Sequence, residues 1–443
     1  MKILNISLHN FRRFNEVKFK FHPRFTVLIG DNGAGKTTVL DALSILLGTY
    51  FQGARIKTGQ GAIKKDDARF ISTVKGNETF CEPQKEVFLS ANAIIHNERV
   101  EWTRDIGDRG GRAKNLVNIG SSDREKISRG ESPDLPILLY YGSGRLWDVH
   151  RDIDTENPGS QLDAYRFCLD PKSDQKAFEK WFKKRTYAKL QKNQELPSLD
   201  VVKNAVLACI PEAKKFYHDI DKNQIMISLE NEGIIPFNCL SDGYRNMVSM
   251  VADIAYRASQ LNPHLEGDAA RRTSGVVLID EIDLHLHPKW QREVVGDLQK
   301  AFPQIQFIAT THSPFIIQSL EAGQIIDLSR ISGLELVDFS PDGIAAPGPG
   351  NAFSDRSIED IVEDVMGVDL PQRSIRYQKM YDAAKEYYRV IEDAKNSNKE
   401  KKEELKRKLD ELSAPFSDNV AYHAFLEMKR LAAGLGNPEN EEK

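Results

Sequence analysis

The first fifty residues alternate in polarity and then change to a helical spacing. Leu4, Ile6 and Leu8 alternate with polar residues, and residues 25–29 form a short apolar run that ends at Gly30. Both patterns predict β-strands. Residues 36–47 carry valine and leucine at three- and four-residue intervals, which predicts a helix. The chain therefore opens with strands, a glycine-rich turn and a helix.

Three later apolar runs predict further buried strands. They cover residues 135–141, 275–280 and 305–309, and polar residues follow each of them, as they do in buried parallel strands. From about residue 162 to 210 the apolar spacing is helical, so we expect an inserted helical lobe within about residues 150–245. The sequence predicts an α/β fold with a parallel or mixed sheet and surrounding helices.

The remaining segments differ from this core. Residues 104–130 are rich in glycine and charge and lack apolar periodicity, so we predict a mobile surface excursion there. A proline- and glycine-rich stretch at 340–351 precedes a charged end in which two apolar helical faces predict a helical hairpin. We predict a head at residues 1–330 and a C-terminal helical region at residues 331–443.

Composition excludes several classes of protein. Lys and Arg number 61 and Asp and Glu 65, the net charge is −4 and 40% of the residues are hydrophobic, which disfavours a polybasic nucleic-acid tail and general disorder. The four cysteines form no C-x-x-C pair, which argues against a zinc ribbon or a disulfide framework. No apolar run approaches the roughly 18 residues that a membrane span needs. We expect a cytoplasmic chain with no membrane partner.

The segment 30–37 fits the pattern G-x-x-x-x-G-K-[ST] between a predicted strand and a predicted helix, the context that a phosphate-binding loop requires. Backbone amides of such a loop point at the β-phosphate, Lys36 reaches the β- and γ-oxygens, and the Thr37 hydroxyl holds Mg²⁺. The alternative, a structural glycine-rich turn, is disfavoured by this context. The predicted nucleotide-binding residues are Gly30, Asp31, Asn32, Gly33, Ala34, Gly35, Lys36, Thr37 and Thr38.

Two other strand ends carry polar groups suited to the same site. Asp280 is placed to bind the Mg²⁺ shell together with Thr37, and Glu281 to orient or deprotonate the water that attacks the γ-phosphate. His312, at the tip of another predicted strand, could hydrogen-bond the γ-phosphate. A plain acidic turn and a structural histidine are the alternatives. One shared nucleotide site favours catalytic roles for Glu281, His312 and Lys36.

Two more features each have a structural and a functional interpretation. Ser241 is a natural N-cap, so its hydroxyl and the free amides of the next turn form a phosphate site, although a simple capped helix explains the same residues. His285 and His287 suggest a metal pair, but a metal needs a third ligand of fixed geometry and none is evident. Fold geometry explains these histidines better.

The phosphate-binding loop, LSDGYR at 240–245, VVLIDEID at 276–283 and ATTHS at 309–313 together resemble the head of ABC-type ATPases in the branch of SMC, RecF and OLD proteins. The resemblance covers about residues 1–330. It implies ATP and Mg²⁺ as cofactors.

The resemblance also implies a composite site between two copies of the chain. In that family two heads close face to face around two ATP molecules. Ser241 and Gly243 of one copy would contact the γ-phosphate held by Lys36 of the other, and Asp283 would lie in the D-loop at the dimer seam.

The sequence departs from the family pattern at two positions. Asp242 stands where glycine is usual, and a carboxylate near a γ-phosphate is unfavourable unless it points away or binds a cation. No convincing Q-loop glutamine follows the strand at 135–141, and Arg145 is an alternative phosphate ligand there.

Features outside the motifs narrow the resemblance. The segment between Lys36 and Ser241 is too short for the coiled-coil arms of SMC-type proteins, and no acidic cluster after residue 330 resembles the Toprim nuclease of OLD proteins. The armless head, the lobe, the LHPKWQ turn at 286–291 and the tyrosine-rich tail are similar to the PtuA-like ATPases of Septu and retron-associated antiviral systems. That similarity implies an oligomeric ATPase whose C-terminal region recruits a separate HNH nuclease, since the sequence has no HNH pattern.

The alternative function is that of a RecF-like repair or recombination ATPase, which clamps DNA without a nuclease partner. Residues 10–14 and the basic stretch 104–126 could contact nucleic-acid phosphates. The acidic overall balance favours ordinary solvated charge for both. A transporter head is disfavoured by the missing Q-loop and the enlarged insertion.

Overall fold

The computed structural model describes residues 1–56, 58, 62–75, 78–106, 111–145, 160–171, 175–330, 338–339, 353, 356–367, 375–395, 399–416 and 418–432. The proline- and glycine-rich stretch at 340–351 lies outside the described residues. The chain divides into two compact units, Met1–Ile361 and Val362–Lys443.

The described strands and helices follow one another in mixed order along the chain. The strands are β1 (Lys2–Phe11), β2 (Phe14–Lys20), β3 (Phe25–Ile29), β4 (Phe70–Lys75), β5 (Glu78–Pro83), β6 (Phe88–Ile95), β7 (Glu98–Asp105), β8 (Ile137–Tyr141), β9 (Ala213–Asp219), β10 (Gln224–Leu229), β11 (Gly233–Pro236), β12 (Gly275–Ile279), β13 (Ile305–Thr310), β14 (Ile325–Asp327) and β15 (Asp338–Phe339). The helices are α1 (Lys36–Ala54), α2 (Lys114–Ser128), α3 (Gln175–Lys192), α4 (Pro197–Cys209), α5 (Asp242–Leu261), α6 (Ala269–Arg272), α7 (Pro288–Ala301), α8 (Pro314–Gln318), α9 (Ile358–Asp360), α10 (Ile375–Lys395), α11 (Lys399–Ser413) and α12 (Val420–Ala432). Within the described ranges, none of these helices combines the length and apolar character needed to cross a membrane.

A five-stranded parallel sheet forms the centre of the first unit. Its strand order is β14-β3-β13-β12-β8, and every neighbouring pair is parallel. All residues of β3, β12, β13 and β8 are buried, which explains why these strands read as continuous apolar runs. The predicted α/β fold with a parallel sheet is confirmed.

A second, largely antiparallel sheet has the order β15-β2-β1-β6-β7. Gln306 of β13 ties it to the parallel sheet. Its Oε1 accepts a hydrogen bond from the Ile3 backbone N–H at 2.7 Å, and its Nε2 donates to the carbonyl oxygens of Ile3 at 2.9 Å and His22 at 3.0 Å. This buried amide satisfies backbone groups of β1 that would otherwise face an apolar interior.

The segment 104–130, predicted to be a mobile surface excursion, contains regular structure in its described part, which its glycine- and charge-rich sequence did not predict. It holds the end of β7 and all of α2. α2 packs on α1 through glycines. A Cβ on Gly120 would lie 2.1 Å from the Tyr50 carbonyl oxygen, and one on Gly53 would lie 1.9 Å from that of Val117. The buried residues of α2 are Leu116, Gly120 and Asp123, and a face with one large apolar side chain gives little apolar periodicity.

The inserted segment contains more than helices. After α3 and α4 comes an antiparallel sheet of order β11-β10-β9, followed by α5. The rings of Phe182 in α3 and Phe216 in β9 lie 5.3 Å apart and join the helices to this sheet. The helical spacing of the segment did not predict the three strands.

The second unit is built on α10, α11 and α12. The predicted helical hairpin corresponds to α10 and α11. The sequence places Tyr377 and Tyr381 on the apolar face predicted for the first of these helices. They are 41% and 50% exposed, so the predicted face is only partly buried. The buried core of the unit consists of Tyr387, Val390, Ile391, Leu409 and Leu426.

Candidate nucleotide-binding site

The carboxyl ends of three adjacent strands form one polar edge. β3 leads into the loop 30–35, β12 ends immediately before Asp280, and β13 ends at Thr310. β13 lies between β3 and β12 in the sheet. Ligands of parallel α/β sheets bind outside such strand ends, so the structure brings the predicted polar groups to one edge.

The loop 30–35 surrounds the ammonium group of Lys36. This side chain is buried, and its Nζ donates hydrogen bonds to the carbonyl oxygens of Gly30 at 2.7 Å and Asp31 at 3.1 Å. Burial lowers the pKa of Lys36, while the carboxylates of Asp280 and Asp31 oppose that shift. A cation inside a loop at a helix N-terminus is suited to bind phosphate oxygens.

The tip of the β1–β2 hairpin lies against this loop. Arg13 donates a hydrogen bond to the carbonyl oxygen of Gly33. Gly35 has a φ of +99°, and a Cβ there would lie 2.7 Å from the Phe14 ring, so both the conformation and the packing require glycine. The other predicted loop residues differ in exposure: Asp31, Asn32 and Gly33 are exposed, Gly30 and Thr38 half-buried and Ala34 buried.

Asp280 connects the loop to the strand ends. Its buried carboxylate accepts hydrogen bonds from the Thr37 hydroxyl at 3.1 Å and the Thr310 hydroxyl at 2.7 Å. A Thr hydroxyl and a carboxylate beside a phosphate loop are the protein groups that hold Mg²⁺ in such sites. In the described part of the chain, no cluster of three or more His, Cys, Asp or Glu could hold a metal ion. The Thr37 hydroxyl and the Asp280 carboxylate suit Mg²⁺, which would take its other ligands from waters and phosphate oxygens.

Glu281 occupies a strained backbone conformation at the end of β12. Its φ is +50°, a region that costs energy for a residue other than glycine. Its N–H donates to the Thr310 hydroxyl at 2.7 Å, and its carbonyl oxygen accepts from Arg145 at 3.0 Å. These two bonds hold the backbone of this half-buried residue, which follows Asp280 in the chain.

Arg145 is buried, only 4% exposed, and bonds within the chain through all three guanidinium nitrogens. It donates to the carbonyl oxygens of Gly142 at 3.1 Å, Asp280 at 2.7 Å and Glu281 at 3.0 Å, and to Asn246 Oδ1 at 2.6 Å. Burial lowers its pKa to about 10, so it remains a cation at neutral pH. Arg145 therefore positions backbone, in place of the phosphate contact considered from the sequence.

Residues 241–245 of the LSDGYR motif, which we call the signature segment, lie at the start of α5. Ser241 is exposed at the N-cap position, but its hydroxyl accepts no capping hydrogen bond, contrary to the predicted cap. Asp242 forms an ion pair with Arg245 at 2.9 Å, which supplies the cation that a carboxylate at this position requires. A Cβ on Gly243 would lie 2.5 Å from the His285 carbonyl oxygen, so glycine allows α5 to approach the segment that follows β12.

Asn246 links the signature helix to the strand end. Its Oδ1 accepts from Arg145, and its Nδ2 donates to the Leu284 carbonyl oxygen at 2.9 Å. α5, Arg145 and the backbone of residues 280–284 thereby form one hydrogen-bonded network, which we call the Arg145 network. Movement of α5 would be transmitted directly to the backbone of Glu281.

His312 is exposed between two anchored neighbours. The Thr311 hydroxyl donates to Asp283 at 2.5 Å, and the Ser313 hydroxyl donates to Gln291 at 2.5 Å. The flanking side chains are fixed, and the His312 ring remains accessible at the end of β13.

Comparison with known proteins agrees with this geometry. Residues 25–318 match the family described as "AAA domain, putative AbiEii toxin, Type IV TA system", which is more than half of the chain. The chain belongs to this family.

Individual proteins are similar to a larger part of the chain than the family match covers. "Retron Vc95 probable ATPase" of Vibrio cholerae serotype O1 biovar El Tor is 26% identical over 378 residues, 73% of each chain. "Septu protein PtuA" of Bacillus thuringiensis is 24% identical over 435 residues, 93% of this chain and 94% of the relative. A solved SMC head bound to the C-winged helix domain of ScpA has a TM-score of 0.44 at 17% identity, over 74% of this chain and 94% of that one. The predicted resemblance to PtuA-like ATPases is confirmed by the retron and Septu relatives.

The two histidines after β12 have structural positions. His287 is the N-cap of α7, where its Nδ1 accepts from the Lys289 N–H at 3.3 Å and Pro288 occupies the first turn. His285 adopts a φ of +61° in the turn. The LHP sequence thus shapes the connection from β12 to α7.

For three residues, the sequence analysis predicted no role in the nucleotide site. Thr310 lies in the ATTHS segment, which was noted only for its histidine. Asn246 carries a weak signal, because it is a polar residue beside the apolar face of a predicted helix. Arg13 was considered only as a nucleic-acid contact. Their partners are distant in the sequence, so spacing could not identify them.

Proposed function

We propose that this chain binds ATP with Mg²⁺ and hydrolyses it. The observation that carries the proposal is the contact of the Asp280 carboxylate with the Thr37 hydroxyl, next to the buried Lys36. The amides of residues 30–38 and Lys36 bind the phosphates, and Thr37 and Asp280 hold Mg²⁺, which neutralises charge on the β- and γ-oxygens.

Glu281 and His312 complete the hydrolytic half of the proposed site. Glu281 orients or deprotonates the attacking water, since it follows Asp280 on a backbone fixed by Thr310 and Arg145. The accessible ring of His312 hydrogen-bonds the γ-phosphate and responds to its loss.

In the same proposal two copies of the chain close around two ATP molecules. Ser241 and Gly243 of one copy contact the γ-phosphate bound to Lys36 of the other, and Asp283 lies at the seam. The exposure of Ser241 and of the loop residues Asp31–Gly33 supports this arrangement, because both surfaces are accessible to a second copy.

We further propose that the ATPase is a subunit of a bacterial antiphage defence complex and controls a separate HNH-type nuclease. The relatives that align over most of their length carry retron and Septu names, which favours this function over that of a RecF-like DNA clamp.

Affinity purification of the chain together with the product of a neighbouring HNH reading frame tests the partnership. We expect a stable complex whose nuclease activity changes between ATP and a non-hydrolysable analogue. Salt-sensitive DNA clamping by the isolated ATPase, with no nuclease bound under either nucleotide, would instead support the RecF-like function.

The C-terminal region 331–443 is proposed to bind the partner or to drive oligomerisation. Within its described part, α12 exposes Phe425, Met428 and Leu431. Replacing Met428 and Leu431 with glutamine should reduce nuclease copurification or oligomer size and leave ATP turnover unchanged. Equal copurification and equal size would remove this surface from the interface.

A further inference from the structure

The inserted lobe contains a cavity that the nucleotide site does not use. Its volume is about 220 Å³. It lies between α3, the β9–β10 hairpin and the short segment Phe237–Cys239. The charged and titratable residues of its lining are Lys180, Lys183, His218 and one carboxylate, Glu179.

His218 adds an imidazole to the lining of this cavity. The residue is 7% exposed, and its Nδ1 is buried with no hydrogen-bond partner in the described part of the chain. That nitrogen has almost no accessible surface, so a group in the cavity would act on the imidazole through its charge. Burial lowers the pKa of His218, and the nearby Lys183 lowers it further. An anion bound in the cavity would oppose both effects and raise the pKa of His218.

Two lysines supply positive charge beside this imidazole. Lys180 and Lys183 both line the cavity from α3. Neither forms an ion pair with a described residue, although Lys183 Nζ lies 5.9 Å from the Tyr187 ring centroid. Ammonium groups are point-charge donors suited to phosphate. Two of them at one cavity raise the local concentration of anions.

The rest of the lining suits an organic group attached to that anion. Asn223, Gln224 and Asn238 provide neutral amides, while buried Ile225 and Phe237 provide an apolar surface. The volume is below the roughly 300–1,000 Å³ of typical drug-sized sites. The cavity therefore suits an occupant of about one nucleotide or less.

We propose that the lobe cavity binds a phosphomonoester of mononucleotide size, with Lys180, Lys183 and His218 holding the phosphate and the amides and Phe237 contacting the attached group. His218 would support the phosphate through the positive charge of its imidazolium form, which a nearby anion favours. The same chemistry is offered by a free nucleoside monophosphate and by the 5′-phosphate end of a nucleic-acid strand.

The test uses the full-length chain carrying Lys36→Ala, so that phosphate binding at the loop 30–35 does not contribute. If that loop binds no nucleotide, Lys36→Ala changes no binding and the test is unaffected. The result for the lobe cavity is therefore independent of the proposed function. Calorimetric titrations use inorganic phosphate, adenosine 5′-monophosphate and 5′-phosphorylated trithymidylate, with adenosine and unphosphorylated trithymidylate as phosphate-free counterparts.

We expect at least one phosphorylated probe to bind, and its phosphate-free counterpart to bind at least about tenfold more weakly. Replacing both Lys180 and Lys183 with glutamine should weaken binding about tenfold or more, because each charge-assisted contact is worth about that factor. Lys184→Gln, on the same helix but outside the cavity lining, is the matched control and should bind normally.

Tighter binding of the trinucleotide assigns the site to strand ends, and tighter binding of the monophosphate assigns it to a free metabolite. His218→Gln provides a second variant that retains both lysines and should also weaken binding. The inference is overturned if no phosphorylated probe binds at up to about 1 mM, or if the Lys180/Lys183 double variant binds like Lys184→Gln.

Discussion

The two halves of the proposed nucleotide site differ in how they are held. Lys36 and Asp280 are buried and bonded within their own chain, so this half is assembled before any nucleotide arrives. Ser241 is exposed, and its segment is held from behind by the Arg145 network. The half with Lys36 is therefore preformed within one chain. The half with Ser241 is exposed to solvent, as a site shared between two copies requires.

The strongest way to break the first half is Lys36→Ala. Removing the ammonium group should weaken ATP binding by about 100-fold or more, because it deletes charge-assisted contacts to two phosphates. Equilibrium binding of a fluorescent ATP analogue measures the effect. Lys20→Ala, which removes an exposed lysine of β2, should bind normally. Unchanged binding in the Lys36 variant would show that nucleotide does not enter the loop.

Glu281→Gln separates binding from hydrolysis. The amide keeps the size of the side chain but cannot accept a proton, so we expect kcat to fall about 10²- to 10⁴-fold with ATP affinity retained. The variant should accumulate as an ATP-bound dimer, which light scattering after size exclusion detects.

Glu293→Gln, an exposed carboxylate on α7, is the control for Glu281→Gln and should turn over ATP normally. Hydrolysis at the normal rate in the Glu281 variant would refute its role with water. Trapped ATP without dimerisation would refute the composite site while leaving that role intact.

Arg145→Lys sharpens the comparison, because this residue lies between the two halves. Lysine keeps the charge but cannot reach the four acceptors that the guanidinium fork contacts. We expect kcat to fall about tenfold with little change in KM, since the Glu281 backbone is loosened while the phosphate loop is intact.

Asn246→Leu, which cuts the other end of the Arg145 network, should reproduce the effect of Arg145→Lys, and the double variant should be no worse than either single one. A raised KM with unchanged kcat would indicate instead that Arg145 contributes to nucleotide binding.

The sequence predicts the parts of the molecule whose signal is local. Residues 275–279 and 305–310 are continuous apolar runs because both faces of these strands are buried, and the loop 30–37 has a fixed pattern. The position of Arg145 next to a strand end was also visible. Its four acceptors were not, because three of them lie about a hundred or more positions away in the chain.

Two other elements escaped prediction for a packing reason. α2 approaches α1 through Gly120 and Gly53, and it buries Leu116, Gly120 and Asp123, so its buried face does not read as the apolar stripe of an amphipathic helix. β9 carries adjacent exposed lysines, Lys214 and Lys215, which interrupt strict alternation over a short strand. Close backbone approach and short strand length both remove the periodicity on which sequence-based prediction depends.

The smallest expected effect tests the outward-facing half directly. Asp242 and Arg245 form an ion pair that is partly exposed, and pairs of this kind on a helix contribute about 0.5 kcal/mol or less. Asp242→Ala should therefore change the ATP turnover rate less than about threefold if the pair only neutralises the carboxylate. In the proposed composite site, Arg245→Ala would leave that carboxylate uncompensated beside the γ-phosphate of the second copy. It should then slow turnover more than Asp242→Ala does, and the double variant should recover. Measuring turnover against protein concentration for the three variants locates any loss in dimer formation. Equal rates in all three at every concentration would mean that this end of α5 does not meet a nucleotide.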